Sequence, residues 1–329
     1  MIQPVLQPVR RRRRRRRSRW PRVLLVLLVA SGAALLGLYL GTRGGSPKRA
    51  TAATASQRAI AAKARLPKPA PPVRLVTGPP LVREPLSPPL TSRAAIVVDA
   101  RTGRVVWARH PHQRLPIAST TKIMTALLAL RQLRPHDVVV VDPAAARVPL
   151  VREGLRPDER VQAWKLFYGL LLFSGNDDAL ALAVAAGGTR PAFVHEMNAE
   201  AKRLGLHDSH FRSPSGVEDE DNYSSAWDLA ALTREAMRNA RFRKIVRTRR
   251  REVPWSPPTY AKIYLNKNLM LTRYPGANGV KTGFTTKAGH CLVVSATRGG
   301  VSLIAVVLHS DDEYGDATRL LDLGFNQLG

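Results

Sequence analysis

An α/β domain, one antiparallel sheet covered by helices, is the fold class that the 329-residue sequence predicts. Three observations carry it. Ala95-Ile96-Val97-Val98-Asp99 and Val105-Val106-Trp107 flank the turn Arg101-Thr102-Gly103-Arg104, which is the pattern of a β-hairpin. The middle of the chain holds several stretches with apolar residues at helical spacing. Late in the chain two β-rich runs return, Cys291–Ala296 and Ser302–Leu308, joined at Arg298-Gly299-Gly300. Strands at both ends with helices between them place the sheet at the centre, and residues 94–329 suffice for one such domain.

The chain ahead of Ala94 reads differently. Residues 1–22 form a basic tail with eight consecutive arginines at 10–17, then Arg19 and Arg22. Val23 to Leu40 runs without a charge, long enough for a transmembrane helix. A basic cluster stays on the cytoplasmic side, so the chain is expected to cross the cell membrane once and to hold its domain outside the cytoplasm. A cleaved signal peptide is the alternative, with small residues at Ala33-Ala34; the length of the apolar run favours a retained anchor. Residues 41–93, with nine prolines from Pro67 to Pro89, are expected as a disordered or extended linker.

Charge follows the same division. Of 52 basic and 24 acidic side chains, residues 1–93 hold 20 of the former and only Glu84 of the latter. Cations gathered in a tail, with no module to read bases, argue against nucleic acid as a partner. Cys291 is the one cysteine, which excludes an intramolecular disulfide and a cysteine-based metal site. A small buried hydrophobe is its expected role.

Within the domain, Pro116 leads into a helix carrying Ile123, Met124, Leu127, Leu128 and Leu130. Val138–Val141 is a short strand. Ala163–Leu172 is an apolar helix ending at Ser174-Gly175, and Asp177–Ala186 is the next. Phe193–Leu204 is amphipathic and stops at Gly205. Trp227–Arg238 and Ala317–Leu323 complete the helices.

Chemistry enters at Ser119-Thr120-Thr121-Lys122. In the first helical turn a serine and a lysine three residues apart share a face. A serine hydroxyl is a poor nucleophile until a base takes its proton, and a lysine does so only when burial or nearby charge holds it neutral. A capping serine followed by a surface lysine is the plainer reading of these four residues. Two further motifs weigh against it: Ser174-Gly175-Asn176, 55 residues after Ser119, and Lys281-Thr282-Gly283, 107 residues further on. Alone, the second would read as a helix cap and the third as a solvated edge-strand lysine. His207-Asp208-Ser209-His210 lacks the i, i+4 pair and glutamate of a zinc helix, and no metal is expected. His195 reads as a surface or core-edge histidine. Arg247–Arg251 reads as a solvated face, with attraction to anionic wall polymers or lipid headgroups as the lesser alternative.

In order, the three motifs resemble the signature of penicillin-binding proteins and class A β-lactamases. The resemblance extends beyond them. Ile117–Ala126, Leu170–Asp177, Asn278–Thr285 and Ala288–Leu292, with Met197-Asn198, Leu204-Gly205, Phe211 and Pro214-Ser215-Gly216, make residues 94–326 similar to the catalytic domain of the D-alanyl-D-alanine carboxypeptidases. These are the low-molecular-mass penicillin-binding proteins of the serine peptidase S11 family. Three places depart from the family's wording: Asp178 where alanine is commoner, Asn278 where aspartate is common, and the loop Arg147–Arg152. With the sequence closing at Gly329, the β-rich C-terminal domain of many relatives is not expected.

The resemblance implies roles. Ser119 attacks the carbonyl between the last two D-alanines of a peptidoglycan stem peptide, with Lys122 as its base. Ser174 relays a proton to the leaving amine, and Asn176 bonds Lys122 or the substrate amide. Lys281 and Thr282 receive the terminal carboxylate, Gly283 permits close approach, and the N–H groups of Ser119 and Phe284 face the oxyanion. No cofactor is implied, and β-lactams are implied inhibitors. The alternatives are a class A-type β-lactamase, disfavoured by Gly175 and by Glu153 and Glu159 preceding the second motif; a cross-link endopeptidase; and a membrane-anchored scaffold that binds the wall without catalysis.

Overall fold

A computed structural model describes residues 70–217, 221–255 and 261–329. The basic tail, the apolar run Val23–Leu40 and the first part of the linker lie outside them. Among the described residues no helix is long and apolar enough to cross a membrane.

The hairpin forms as expected, with strand β1 at Ala94–Asp99 and β2 at Val105–Arg109. A two-residue β3 (Leu115–Pro116) and a single 3-10 turn (Ala118–Thr121) lead into helix α1 (Lys122–Gln132). Short strands β4 (Val138–Val140) and β5 (Arg160–Gln162) pair with each other. Helix α2 (Ala163–Tyr168) widens into a π-helical turn (Gly169–Phe173), followed by α3 (Asn176–Gly187) and α4 (Arg190–Leu204). Then come β6 (Tyr223–Ser224), α5 (Ala226–Ala236), α6 (Ala240–Val246) and a hairpin of β7 (Arg250–Val253) with β8 (Lys262–Leu265). The one-turn α7 (Met270–Arg273), three long strands β9 (Ala277–Thr285), β10 (Gly289–Arg298) and β11 (Val301–Ser310), and the helix α8 (Glu313–Leu328) end the chain.

The main sheet runs β2-β1-β11-β10-β9, and every neighbouring pair is antiparallel. Its central strands are apolar on both faces, because both faces are covered. Ile96, Val98, Val293, Ile304 and Val306 join the larger core with α1, α3 and α5. Val97, Leu292, Val294, Leu303 and Val307 meet Leu320 and Leu321 of α8 on the other side. Truncating either leucine to alanine is expected to cost about 2–5 kcal/mol. Helix α3 is buried along most of its length, so its apolar residues go all round instead of forming a stripe.

Three local findings differ from the sequence expectations. Ser119 sits in the 3-10 turn, and the α-helix proper begins at Lys122. At three residues per turn, positions i and i+3 eclipse, which sets Ser119 directly over Lys122. The helix expected to run from Ala163 to Leu172 relaxes at Gly169 into a wide turn whose Gly169 carbonyl accepts from both Ser174 N (2.8 Å) and Gly175 N (3.2 Å). Apolar spacing cannot register that change of pitch, since both forms bury the same leucines.

From Ala70 onward the Pro-rich stretch is tied to the sheet. Three of its N–H groups bond along β2 and the adjoining turn: Val76 N to Gly103 O, Leu81 N to Val105 O and Val82 N to Val106 O. Trp107 Nε1 donates to Glu84 O, and Leu75 and Leu90 are buried. Asp316, fully buried in α8, accepts from Thr91 N, Ser92 N and the hydroxyls of Thr91 and Ser310.

Candidate active site

The 3-10 turn, the turn after α2 and strand β9 bring the three motifs together. Lys122 is fully buried at the start of α1. Its Nζ lies 2.8 Å from Ser119 Oγ, 2.8 Å from Asn176 Oδ1 and 2.9 Å from Ser215 O. Burial first, then the charge of Lys281, hold the Lys122 amine well below the usual lysine range. A neutral amine in contact with a serine hydroxyl can take its proton.

Asn176 is held at both ends, its Nδ2 donating to Pro149 O (3.0 Å) and its backbone N to Val151 O (2.8 Å). Of the two roles expected for Asn176, the geometry realises the bond to Lys122. Ser174 takes a left-handed backbone conformation (φ 75°, ψ 33°) where the wide turn meets α3. It lines the same cleft as Ser119, Thr282, Gly283 and Phe284.

Gly283 serves a contact more local than the approach to substrate expected of it. A Cβ there would stand 2.9 Å from Ile117 O, 3.1 Å from Ser119 N and 3.2 Å from Thr120 N, so its absence lets β9 press against the 3-10 turn that carries Ser119. Gly216 does the same from the other side, at φ +79° with a Cβ position 1.9 Å from Ala118 O. That approach delivers the Ser215 carbonyl to Lys122.

Lys281 lies behind the cleft wall. It is 1% exposed, its Nζ donates to Thr282 O at 2.9 Å, and burial followed by the charge of Lys267 pushes its pKa down to about 7. The lysine that lines the cleft is Lys267, which sequence reasoning missed. Burial lowers its pKa as well, and its Nζ stands 4.7 Å from the centre of the Phe173 ring. Val151, His290, Glu313 and Tyr314 complete the lining. His290 packs on Phe284 (4.6 Å between ring centres), with Nδ1 3.3 Å from Glu313 Oε1. Of these, His290 falls in the family-like segment Ala288–Leu292 and Val151 in the loop Arg147–Arg152 that departs from it, whereas Glu313 and Tyr314 carried no sequence signal. Among the described residues no cluster of His, Cys, Asp or Glu is set to hold a metal.

A sequence profile of the D-alanyl-D-alanine carboxypeptidase family matches residues 82–312. The chain belongs to this family. Among its relatives is the D-alanyl-D-alanine carboxypeptidase DacF of Bacillus subtilis, 34% identical over 245 residues, which are 72% of this chain and 62% of that protein. The D-alanyl-D-alanine carboxypeptidase of Streptomyces sp. strain K15 is 35% identical over 247 residues, or 68% of this chain and 84% of that protein. Among solved structures, the Streptomyces K15 DD-transpeptidase superposes with a TM-score of 0.70 at 32% identity, covering 74% of this chain and all of that one. This carboxypeptidase-family chain therefore spans less than two thirds of the Bacillus relative but all of the solved Streptomyces chain.

Proposed function

We propose that this chain is a serine-type D-Ala-D-Ala carboxypeptidase that removes the terminal D-alanine of peptidoglycan stem pentapeptides through an acyl-enzyme on Ser119. The contact of 2.8 Å between Ser119 Oγ, at the cleft, and the buried Lys122 Nζ carries this reading. Ser119 Oγ attacks the carbonyl carbon between the last two D-alanines while Lys122 takes its proton. Negative charge collects on the carbonyl oxygen against the N–H groups of Ser119 and Phe284. The C–N bond breaks, Ser174 relays a proton to the leaving amine, and D-alanine departs. Water then cleaves the ester and restores Ser119. Thr282 meets the substrate's terminal carboxylate at the cleft wall, with the charge of Lys281 behind it.

A β-lactam presents a comparable carbonyl, so the same oxygen is its target. Neither Glu153, engaged by Lys262, nor Glu159, which accepts from the Trp255 indole, lines the cleft as a deacylating base would. Incubating the full chain with penicillin should give one long-lived adduct per chain by intact mass, absent in Ser119→Ala. Rapid penicillin turnover without an adduct points to a β-lactamase, and neither adduct nor turnover to a non-catalytic scaffold. Cross-link endopeptidase activity is the same reaction on a branched amide. Mass spectrometry of pentapeptide and cross-linked muropeptides after incubation separates the two.

The same reading places residues 1–22 in the cytoplasm, Val23–Leu40 across the cell membrane, residues 41–93 as the connecting segment and residues 94–329 outside as the catalytic domain. Ten arginines before residue 23 support that orientation. Protease added to intact cells should release the domain and leave the tail protected; a mature N-terminus near residue 35 would show cleavage instead.

A further inference from the structure

The mechanism leaves unused a closed cluster of charge under the second motif. Asp178 is fully buried on α3, and Glu153, on the loop before β5, exposes 2% of its side chain. Their carboxyl groups meet beneath Gly169, close enough for each to raise the cost of the other's charge. A Cβ on Gly169 would fall 2.4 Å from Asp178 Oδ2 and 2.5 Å from Glu153 Oε2, and one on Gly175 would fall 2.0 Å from Asp178 Oδ2. The pair therefore fills the space that both glycines of the wide turn leave. Lys262 of β8 reaches Glu153 Oε1 at 2.9 Å; no other donor among the described residues reaches the four carboxyl oxygens.

We infer that Glu153 and Asp178 share a single proton in this pocket, and that the protonated pair is a positioning device that clamps the loop Pro149–Leu155 to the Ser174–Asn176 turn. The charge balance requires the shared proton. Two adjacent carboxylates shut away from water face a single, partly exposed ammonium and the further carboxylate of Asp177, and a proton between the two removes one uncompensated negative charge. Burial and the charge of Glu153 push the Asp178 carboxyl well above its usual range, and burial raises Glu153 too.

The clamp has a direct line to the site. Asp177 accepts from the backbone N–H groups of Glu153 (2.9 Å), Gly154 (2.8 Å) and Leu155 (3.1 Å), and Asn176 is tied to Pro149 and Val151 as described above. Asn176 in turn holds Lys122. The charged groups facing the pair are Asp177 from α3, Lys262 from β8 and, across the turn, Lys122 from α1. A neutral Asp178 leaves the Lys122 amine free, whereas an ionised one favours a proton on it.

The rate consequence rests on Lys122 being the base proposed above; the shared proton does not. Three measurements on the full chain test the inference. Infrared difference spectra at pH 7 should show a protonated carboxyl in the wild type that Asp178→Asn and Glu153→Gln both abolish. The folded pair binds a proton that the unfolded chain releases, so raising pH favours unfolding. The wild-type folding constant should accordingly fall about tenfold per pH unit relative to Asp178→Asn, from about pH 4 up to the folded pKa of the pair.

Penicillin acylation of the wild type should also fall on the alkaline side where the pair ionises. Asp178→Asn keeps the contact and has no proton to lose, so it should not show that fall. If Asp178→Asn does not fold, Glu153→Gln supplies the same comparison. Absence of the infrared band, or parallel pH dependence of the variant and the wild type, overturns the inference. A wild type that is never acylated refutes Lys122 as base while the infrared and unfolding measurements still decide the pair.

Discussion

Replacing Gly283 by alanine puts a methyl group where β9 meets the 3-10 turn that carries Ser119. Its three nearest neighbours are all backbone atoms, at 2.9, 3.1 and 3.2 Å, so no side chain can swing aside. Restoring ordinary contact requires the strand or the turn to move by about 0.5 Å, in a core that packs too densely to absorb the shift elsewhere. A 1 Å misplacement of reacting groups costs on the order of a hundredfold, so a loss of about tenfold in the second-order rate of penicillin acylation is expected. Overpacking should also lower stability by about 1–3 kcal/mol. Stopped-flow acylation and urea unfolding of the same preparation measure both. A Gly283→Ala protein that is acylated at the wild-type rate would refute the claim that this contact sets the position of Ser119. Gly216→Ala supplies a ranking, because its Cβ position is 1.9 Å from Ala118 O and its φ is +79°; it should be the more damaging change.

Lys281→Ala should lose about ten- to two-hundred-fold in kcat/KM on a D-Ala-D-Ala peptide and much less on its C-terminal amide, and penalties that simply multiply would remove Lys281 from carboxylate recognition. Acylation should rise with pH through the folded pKa of Lys122. Lys281→Met, which removes a neighbouring cation, should move that rise to higher pH; a shift to lower pH would contradict the electrostatics. Buried Lys281 has a pKa of about 7, against about 10.4 in an unfolded chain, so the unfolded state binds the extra proton between those values. Wild-type stability should therefore gain about 1.4 kcal/mol per pH unit on Lys281→Met across that window, read by denaturant titration at three pH values. Asp316→Ala should cost about 2–4 kcal/mol by orphaning the N–H groups of Thr91 and Ser92. Burial alone would raise the Asp316 pKa, yet its hydrogen bonds hold it below the usual value, so its contribution is present above about pH 4 and fades as pH falls through the folded pKa.

The sequence exposes what is local. Ser119 and Lys122 are three residues apart, so any helical pitch near 3 to 3.6 brings them together, and the error between 3-10 and α costs the reading nothing. The hairpin of β1 and β2 and the strands β10 and β11 announce themselves by β-branched runs between glycine turns. Partnerships at long range are a different matter. Asn176 meets Lys122 across 54 residues, and only the likeness to a known signature suggested it. Lys267 and the trio Glu153, Asp178 and Lys262 carry no pattern that separates them from surface charge, since burial of an ion depends on what the rest of the chain packs around it. The hairpin of β7 and β8 escaped for a related reason: Arg250, Arg251 and Glu252 are all exposed, leaving Val253 as the one buried residue of its first strand.

The segment bonded along β2 bears on how this protein can be handled. A sheet has two margins, and here one of them borders Ser119. The other is covered by chain that a composition-based boundary at Ala94 would discard. Trimming there would strip partners from the carbonyls of Gly103, Val105 and Val106 and from the Trp107 indole, and would uncover Leu75 and Leu90 contacts. An unpaired strand with apolar flanks is a template for the next molecule, so such a fragment should precipitate or pair edge to edge. Beginning at Ala70 instead retains the bonds that keep molecules apart.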